Sequence, residues 1–174
     1  VTPLGFDVQS NWDAILRGET GIKKDSSFHQ PAYLSKIDEH LIDQKFSEIS
    51  SETHFSKLEK MLILALYPII SKNKIDENTP LFVSTTKGNI DQLETPDLSG
   101  VLLSDLAEKV AQFFGFTQKP IVISNACVSG LLAVSVAKRM IQAGLYKNAF
   151  IVAGDVVSEF VLSGFHSFQA VSEL

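Results

Sequence analysis

The single cysteine of this 174-residue chain, Cys127, stands in the run Lys119-Pro-Ile-Val-Ile-Ser-Asn-Ala-Cys-Val-Ser-Gly130. Ile121 to Ile123 is an apolar, β-branched segment that reads as a strand, Ser124 to Ala126 reads as a turn, and an apolar, small-residue segment that reads as a helix begins at Val128. A thiol at such a junction faces the partial positive charge of a helix N-terminus, a setting that favours the anionic sulfur. An ionised sulfur attacks carbonyl carbon and then holds the acyl group as a thioester, so this residue type in this place suits a covalent acyl carrier. The competing nucleophile motif, the Gly-x-Cys-x-Gly elbow of hydrolases, fails because Asn125 and Ser129 occupy the flanking glycine positions. Taken alone, a lone cysteine in apolar surroundings is usually an inert core residue, and it is the flanking pattern that favours the acyl-accepting role.

The elements that must position this thiol alternate in type. Ser10 is placed to cap a short helix containing Trp12, Ile15 and Leu16, closed by Gly18. Residues 22–51, with Lys23, Lys24, Asp25, Pro31, Asp38, Glu39 and Asp43, read as loop or short helices rather than as part of a sheet. From Thr53 to Ser71 the residues Phe55, Leu58, Met61, Leu62, Ala65, Leu66 and Ile69 recur at helical spacing and predict a core helix. Pro80 to Thr86 predicts a buried strand ending at Gly88, and Ser99 or Gly100 to Phe114 an amphipathic helix stopped by Gly115. A strand over 121–124, a helix from Val128 to Ala143 stopped by Gly144, and a strand over 149–153 complete a β-α-β unit. This alternation predicts an α/β fold with a mostly parallel sheet. The helix after Cys127 carries Val128, Leu131, Leu132, Ala133, Val134, Val136, Ala137 and Met140, which predicts burial on most sides; Lys138 and Arg139 come only in its last turns, and Gly130 allows close approach of backbone or substrate.

Hydrophobic residues make up 45% of the chain and charged residues 20%, ordinary values for a globular protein able to bury a sizeable core. A net charge of −5 argues against a nucleic-acid footprint. One cysteine excludes an intrachain disulfide framework and fits a reducing compartment, so a cytoplasmic location is expected. The longest apolar run, Met61 to Ile70, is too short for a membrane span and contains Pro68. There is no clustered Cys/His/carboxylate set with metal-ligand spacing and no phosphate-cradling glycine loop, so no cofactor is expected. Val1-Thr2-Pro3 lacks the basic and apolar regions of a signal peptide and reads as the end of a strand, which gives the expectation that the chain is a piece of a longer protein.

Several separated segments carry a family resemblance. Asn125-Ala-Cys-Val-Ser-Gly130, then Ala133, Ala137, Ile141 and Gly144, then Ala149-Phe-Ile-Val-Ala-Gly-Asp155, then Gly164-Phe-His-Ser-Phe-Gln-Ala-Val-Ser172, resemble the nucleophile half of a β-ketoacyl synthase of the thiolase superfamily. Val1-Thr-Pro-Leu-Gly5, Trp12, Leu16, Gly18 and Gly21-Ile22 resemble the family's opening stretch. The resemblance spans nearly the whole chain and is weak from Lys23 to Ser51.

This resemblance implies a thiolase-like N-terminal half (a mostly parallel mixed sheet with helices on both faces), with residues 1–174 as an incomplete synthase N-terminal domain. It also implies an acyltransferase activity. Cys127 takes an acyl group from an acyl carrier protein, and malonyl on a second carrier is decarboxylated and condenses with it, in fatty acid or polyketide synthesis. The backbone N–H of Cys127 is placed by the motif as an oxyanion donor, and Phe165, at the family's Gly-Phe position, as an acyl-pocket residue; ordinary core packing is the other reading of Phe165. The family's catalytic histidines, lysine and glycine-rich oxyanion loop follow the region of resemblance and have no counterpart here; His29, His40, His54 and His166 stand in none of those contexts. The implied partners are the acyl carrier protein and a second subunit, as a homodimer or as a pseudo-dimer with a related chain. Lys119, Lys138, Arg139 and Lys147 are candidates for carrier docking, or ordinary solvated charges. Thr85, Thr86 and Asp155 read as strand-end and turn residues. An alternative is a catalytically incomplete thiolase-like domain that binds acyl chains or pairs with a partner subunit.

Overall fold

Three short parallel strands form the main sheet of the computed structural model, which describes residues 1–94 and 100–172. The chain divides into two compact units: Val1–Thr53 together with the described residues from Val156 onward, and His54–Asp155.

The His54–Asp155 unit holds the sheet. Its elements are helix α3 (Lys57–Ile70), strand β3 (Leu81–Ser84), helix α4 (Leu103–Phe113), strand β4 (Ile121–Ile123), helix α5 (Ser129–Gln142) and strand β5 (Phe150–Ala153). The strand order is β4-β3-β5, all parallel, with Val83 opposite both Val122 and Val152. Central β3 is buried along its whole length, which explains why it reads as an unbroken apolar run. Helices cover both faces. A Cβ added to Gly130 of α5 would meet Ala153 Cβ at 3.4 Å, while one added to Gly154, pointing to the other face, would meet Leu62 Cδ2 of α3 at 3.0 Å.

Helix α3 starts with a reciprocal cap: the Ser56 hydroxyl accepts the Glu59 N–H at 3.2 Å and the Glu59 carboxylate accepts the Ser56 N–H at 2.7 Å. The predicted stripe is met by Leu58, Leu62 and Leu66, whereas Ile69 is exposed and Phe55 is buried just ahead of the helix. Glu59 is fully buried and is satisfied by Asn89 Nδ2 at 3.0 Å and Lys109 Nζ at 3.5 Å as well as by its cap. Gly115 and Gly144 close α4 and α5 at φ +74° and +77°, as their sequence positions predict. Ser99, the earlier of the two predicted starts of α4, lies outside the described residues. Among the described residues no helix is long and apolar enough to cross a membrane.

The other unit contains helix α1 (Val8–Leu16), strands β1 (Lys23–Asp25) and β2 (Ala32–Leu34), helix α2 (Glu39–Ser47) and helix α6 (Glu159–Ser167). Two expectations are corrected here. The N-cap of α1 is Asp7, whose carboxylate accepts the Ser10 N–H at 2.7 Å, so Ser10 lies inside the helix. β1 and β2 pair as an antiparallel hairpin where loop or helix was expected. That hairpin has three-residue strands without apolar alternation, and polar groups fasten it: Lys36 Nζ lies 2.8 Å from Asp25, and its hydrogen bond, with those from Ser27, holds the Asp25 carboxyl well below the usual carboxylate range.

Candidate active site

Parallel strands place all their carboxyl ends on one edge of the sheet, the edge where open α/β sheets bind ligands. At this edge β3 runs into Thr85 and Thr86, β4 into Ser124 and Asn125, and β5 into Gly154 and Asp155. Asp155 joins two of these ends: one of its carboxylate oxygens accepts the Thr85 hydroxyl at 2.8 Å, the Thr86 N–H at 2.8 Å and the Thr86 hydroxyl at 3.0 Å. The Ser124 hydroxyl reaches the Thr86 carbonyl at 3.4 Å. Thr85, Thr86 and Asp155 therefore build the rim, in keeping with their reading as strand-end and turn residues.

Cys127 sits on this rim and is exposed. It occupies the middle of a single tight turn, Ala126–Val128, between the end of β4 and the start of α5. The strand-to-helix placement read from the sequence is the observed one. The turn is not relaxed: Ala126 has φ +45°, in the left-handed region that costs a residue with a Cβ about 1–2 kcal/mol. Such strain immediately before an exposed thiol is of the kind found where backbone geometry serves chemistry. Among the described residues no acceptor takes the N–H of Cys127.

Two residues that support the turn were not legible as site residues. Ser129, at the start of α5, is buried, and its hydroxyl accepts the Asn125 N–H at 2.7 Å and donates to the Ala126 carbonyl at 2.7 Å. The signal available for it is a hydroxyl two residues after the cysteine at a helix start. Ala126 gives no signal, because alanine does not mark a left-handed position.

Helix α5 departs from expectation. Within it Ser129, Ala133 and Ala137 are buried and Leu132, Val136 and Met140 half-buried, while Val134 and Ile141 are exposed and Leu131 is 75% exposed. Full burial is thus confined to one small-residue face rather than extending over most sides as predicted. Gly130 faces β5, and a Cβ there would meet Ala153 Cβ only at an ordinary van der Waals distance, so packing against the strand does not by itself require a glycine.

Phe165 belongs to the other unit, on α6, and is 48% exposed. His166 beside it is half-buried, and its Nε2 has no hydrogen-bond partner among the described residues.

Comparison with known proteins adds sequence and fold. Residues 122–163, the segment containing Cys127, match the family model of 3-oxoacyl-[acyl-carrier-protein] synthase III. No curated protein matches the chain by sequence. The ketosynthase of Xenorhabdus doucetiae, solved in complex with its chain length factor, is similar with a TM-score of 0.76 and 19% identity over 100% of this chain and 49% of its own. The ishigamide ketosynthase/chain length factor gives 0.76 and 16% over 99% of this chain and 55% of its own. An oxazolomycin ketosynthase domain of Streptomyces albus JA3453 gives 0.61 and 17% over 92% of this chain and 35% of its own. The chain thus spans about half the length, or less, of the solved structures it resembles. The chain therefore has the fold seen in part of these ketosynthases, and its residues 122–163 are similar in sequence to 3-oxoacyl-[acyl-carrier-protein] synthase III.

Proposed function

We propose that the chain is the nucleophile-bearing portion of a ketosynthase-type acyltransferase, with Cys127 as the residue that accepts the acyl group. The observation that carries this reading is an exposed thiol on a strained turn at the carboxyl edge of a parallel sheet, inside the segment that matches the 3-oxoacyl-[acyl-carrier-protein] synthase III model.

In the proposed step the Cys127 sulfur, as thiolate, attacks the thioester carbonyl of an acyl group carried on an acyl carrier protein. A sulfur–carbon bond forms to Cys127, and the bond to the carrier's sulfur breaks. The carrier thiolate leaves and takes a proton from solvent. The developing oxyanion needs a donor aimed at it, and the Cys127 N–H is the group proposed for that role. Phe165 is proposed as an acyl-contacting side chain, a role resting on its Gly-Phe position in the resemblance. The acyl-Cys127 thioester is then proposed to be attacked by the carbanion left when malonyl on a second carrier loses carbon dioxide, giving a β-ketoacyl product and freeing the Cys127 thiolate; acyl transfer is the half-reaction whose nucleophile lies among these residues. The exposed apolar stripe beside the thiol, with Val128, Leu131 and Val134, suits contact with an aliphatic chain or with further protein better than contact with water.

A second reading, a partner subunit without condensing activity, draws on the two similar structures that are ketosynthase/chain length factor assemblies. The same likeness supports a pseudo-dimer with a related chain. Retention of the thiol favours the acyl-accepting role.

Intact-mass spectrometry of the chain offered an acyl-loaded carrier protein tests the proposal. One acyl mass should appear on the wild type and none on Cys127→Ala, with the two proteins melting at the same temperature. A wild type that stays unmodified over hours, or an equal adduct on Cys127→Ala, overturns it.

A further inference from the structure

The hydroxyl of Ser129 bonds in the wrong direction for an ordinary helix cap. A serine that caps a helix stands before it and accepts the N–H of a residue two or three positions later. Ser129 is the first residue of α5 and reaches backward instead, to the Asn125 N–H and the Ala126 carbonyl, both at 2.7 Å. The position before it, Val128, has no side-chain cap bond at all. Ser129 is only 5% exposed although Asn125 and Ala126 are exposed, so its side of both bonds is shielded from water. They fall on the two residues ahead of Cys127, and the second is made by the residue whose φ is +45°.

The arrangement ties the end of β4 to the start of α5 across the thiol. Backbone bonds also close the turn, from the Val128 N–H to the Asn125 carbonyl at 3.2 Å and from the Ser129 N–H to the Ala126 carbonyl, and the Ser129 hydroxyl adds a side-chain bond to each of the two residues ahead of the thiol. We propose that Ser129 is a positioning residue for Cys127. Its hydroxyl holds Ala126 in the left-handed conformation, and this orientation of the Ala126–Cys127 peptide sets the direction of both the Cys127 N–H and its sulfur. The inference rests on the reading of Cys127 as the acyl acceptor and names a residue that acts through it. Small misplacements of a reacting group are costly in rate, so losing the tie reduces the rate of acyl transfer more than it reduces binding of the carrier.

The test measures single-turnover acylation of Cys127 at several concentrations of acyl-loaded carrier, in wild type, Ser129→Ala, Ala126→Gly and the double variant. Ser129→Ala should lower the saturating rate about tenfold or more with the half-saturation concentration unchanged. Glycine takes a positive φ without strain, so in the Ala126→Gly background the same serine substitution should cost less than about threefold. That coupling also serves if Ser129→Ala alone fails to fold, since the double variant is then compared with Ala126→Gly. An equal loss in both backgrounds, no loss at all, or a loss that only follows the folded fraction in a thermal melt overturns the role. The ¹³Cα and ¹³Cβ shifts of Ala126 provide a readout independent of acylation: they should leave left-handed values in Ser129→Ala, and if they stay, the serine does not hold the turn. A wild type that is never acylated removes the acyl-acceptor reading instead, and the Ala126 shifts still decide whether Ser129 holds the turn.

Discussion

Helices α3 and α5 are each fourteen residues long and lie on opposite faces of the same sheet, yet they treat their apolar residues in opposite ways. α3 turns its large side chains inward: Leu58, Leu62, Ile63 and Leu66 are each no more than 1% exposed. α5 buries small ones fully, Ser129, Ala133 and Ala137, and leaves Leu131, Val134 and Ile141 exposed. Small inward residues bring α5 against the sheet, with Gly130, three residues beyond the thiol, facing Ala153 of β5. The difference separates two functions of a sheet-covering helix. α3 supplies hydrophobic stability and carries the buried Glu59 network that fixes its start, while α5 supplies a rigid base for a strained turn.

This contrast predicts where the chain is sensitive. The largest effect is expected on α3. Leu62→Ala removes a side chain packed against the sheet at Gly154 and should cost about 3 kcal/mol from lost burial plus the cavity left behind. Urea unfolding of the purified chain measures it, and a cost under about 1 kcal/mol would mean that α3 is not the stabilising helix. The next effect belongs to the inner face of α5. Ala133→Leu forces a large side chain into a fully buried small-residue site and should cost about 2 kcal/mol by overpacking. It should also slow acyl uptake at Cys127, because α5 must move away from the sheet and take the turn with it. A stable variant with unchanged uptake would break the link between the close packing of α5 and the geometry of the turn.

How far the sequence carries this picture depends on what kind of force places each element. Helices and strands held by periodic burial were legible, and so were their glycine stops: β3, β4 and β5, and the ends of α4 and α5, lie where spacing and Gly115 and Gly144 put them. The β1–β2 hairpin was not, since Asp25, Ser27 and Lys36 fasten it by polar bonds that leave no period in hydropathy. The start of α1 fell to Asp7 rather than Ser10 because either residue type can cap, and geometry alone decides between them. In the site, the strand-to-helix position of Cys127 was legible from residue types. The left-handed Ala126 and the backward-reaching Ser129 were not, because neither residue type announces such a geometry. The amount of apolar residue on α5 was read correctly, but composition says how much apolar surface a helix has, not which part of it the same chain covers.

The outer face of α5 gives the smallest expected effect and the sharpest test of that last distinction. Leu131 is 75% exposed, so Leu131→Gln removes little buried area and introduces a polar group that water can solvate at once. Its cost in the isolated chain should stay within about 0.5 kcal/mol. The same change lowers the apolar fraction of an exposed stripe, so self-association of the chain should set in at a higher concentration, as read by light scattering. Leu131 is two turns of backbone closer to the thiol than Lys138 at the far end of the helix, so acyl uptake at Cys127 reports whether the stripe also guides the acyl chain. Slower uptake of long-chain than of short-chain thioesters in Leu131→Gln would give the outward face a role in substrate contact. A destabilisation above about 2 kcal/mol would instead show that Leu131 is covered in solution, and the contrast between the two helices would then fail on its α5 side.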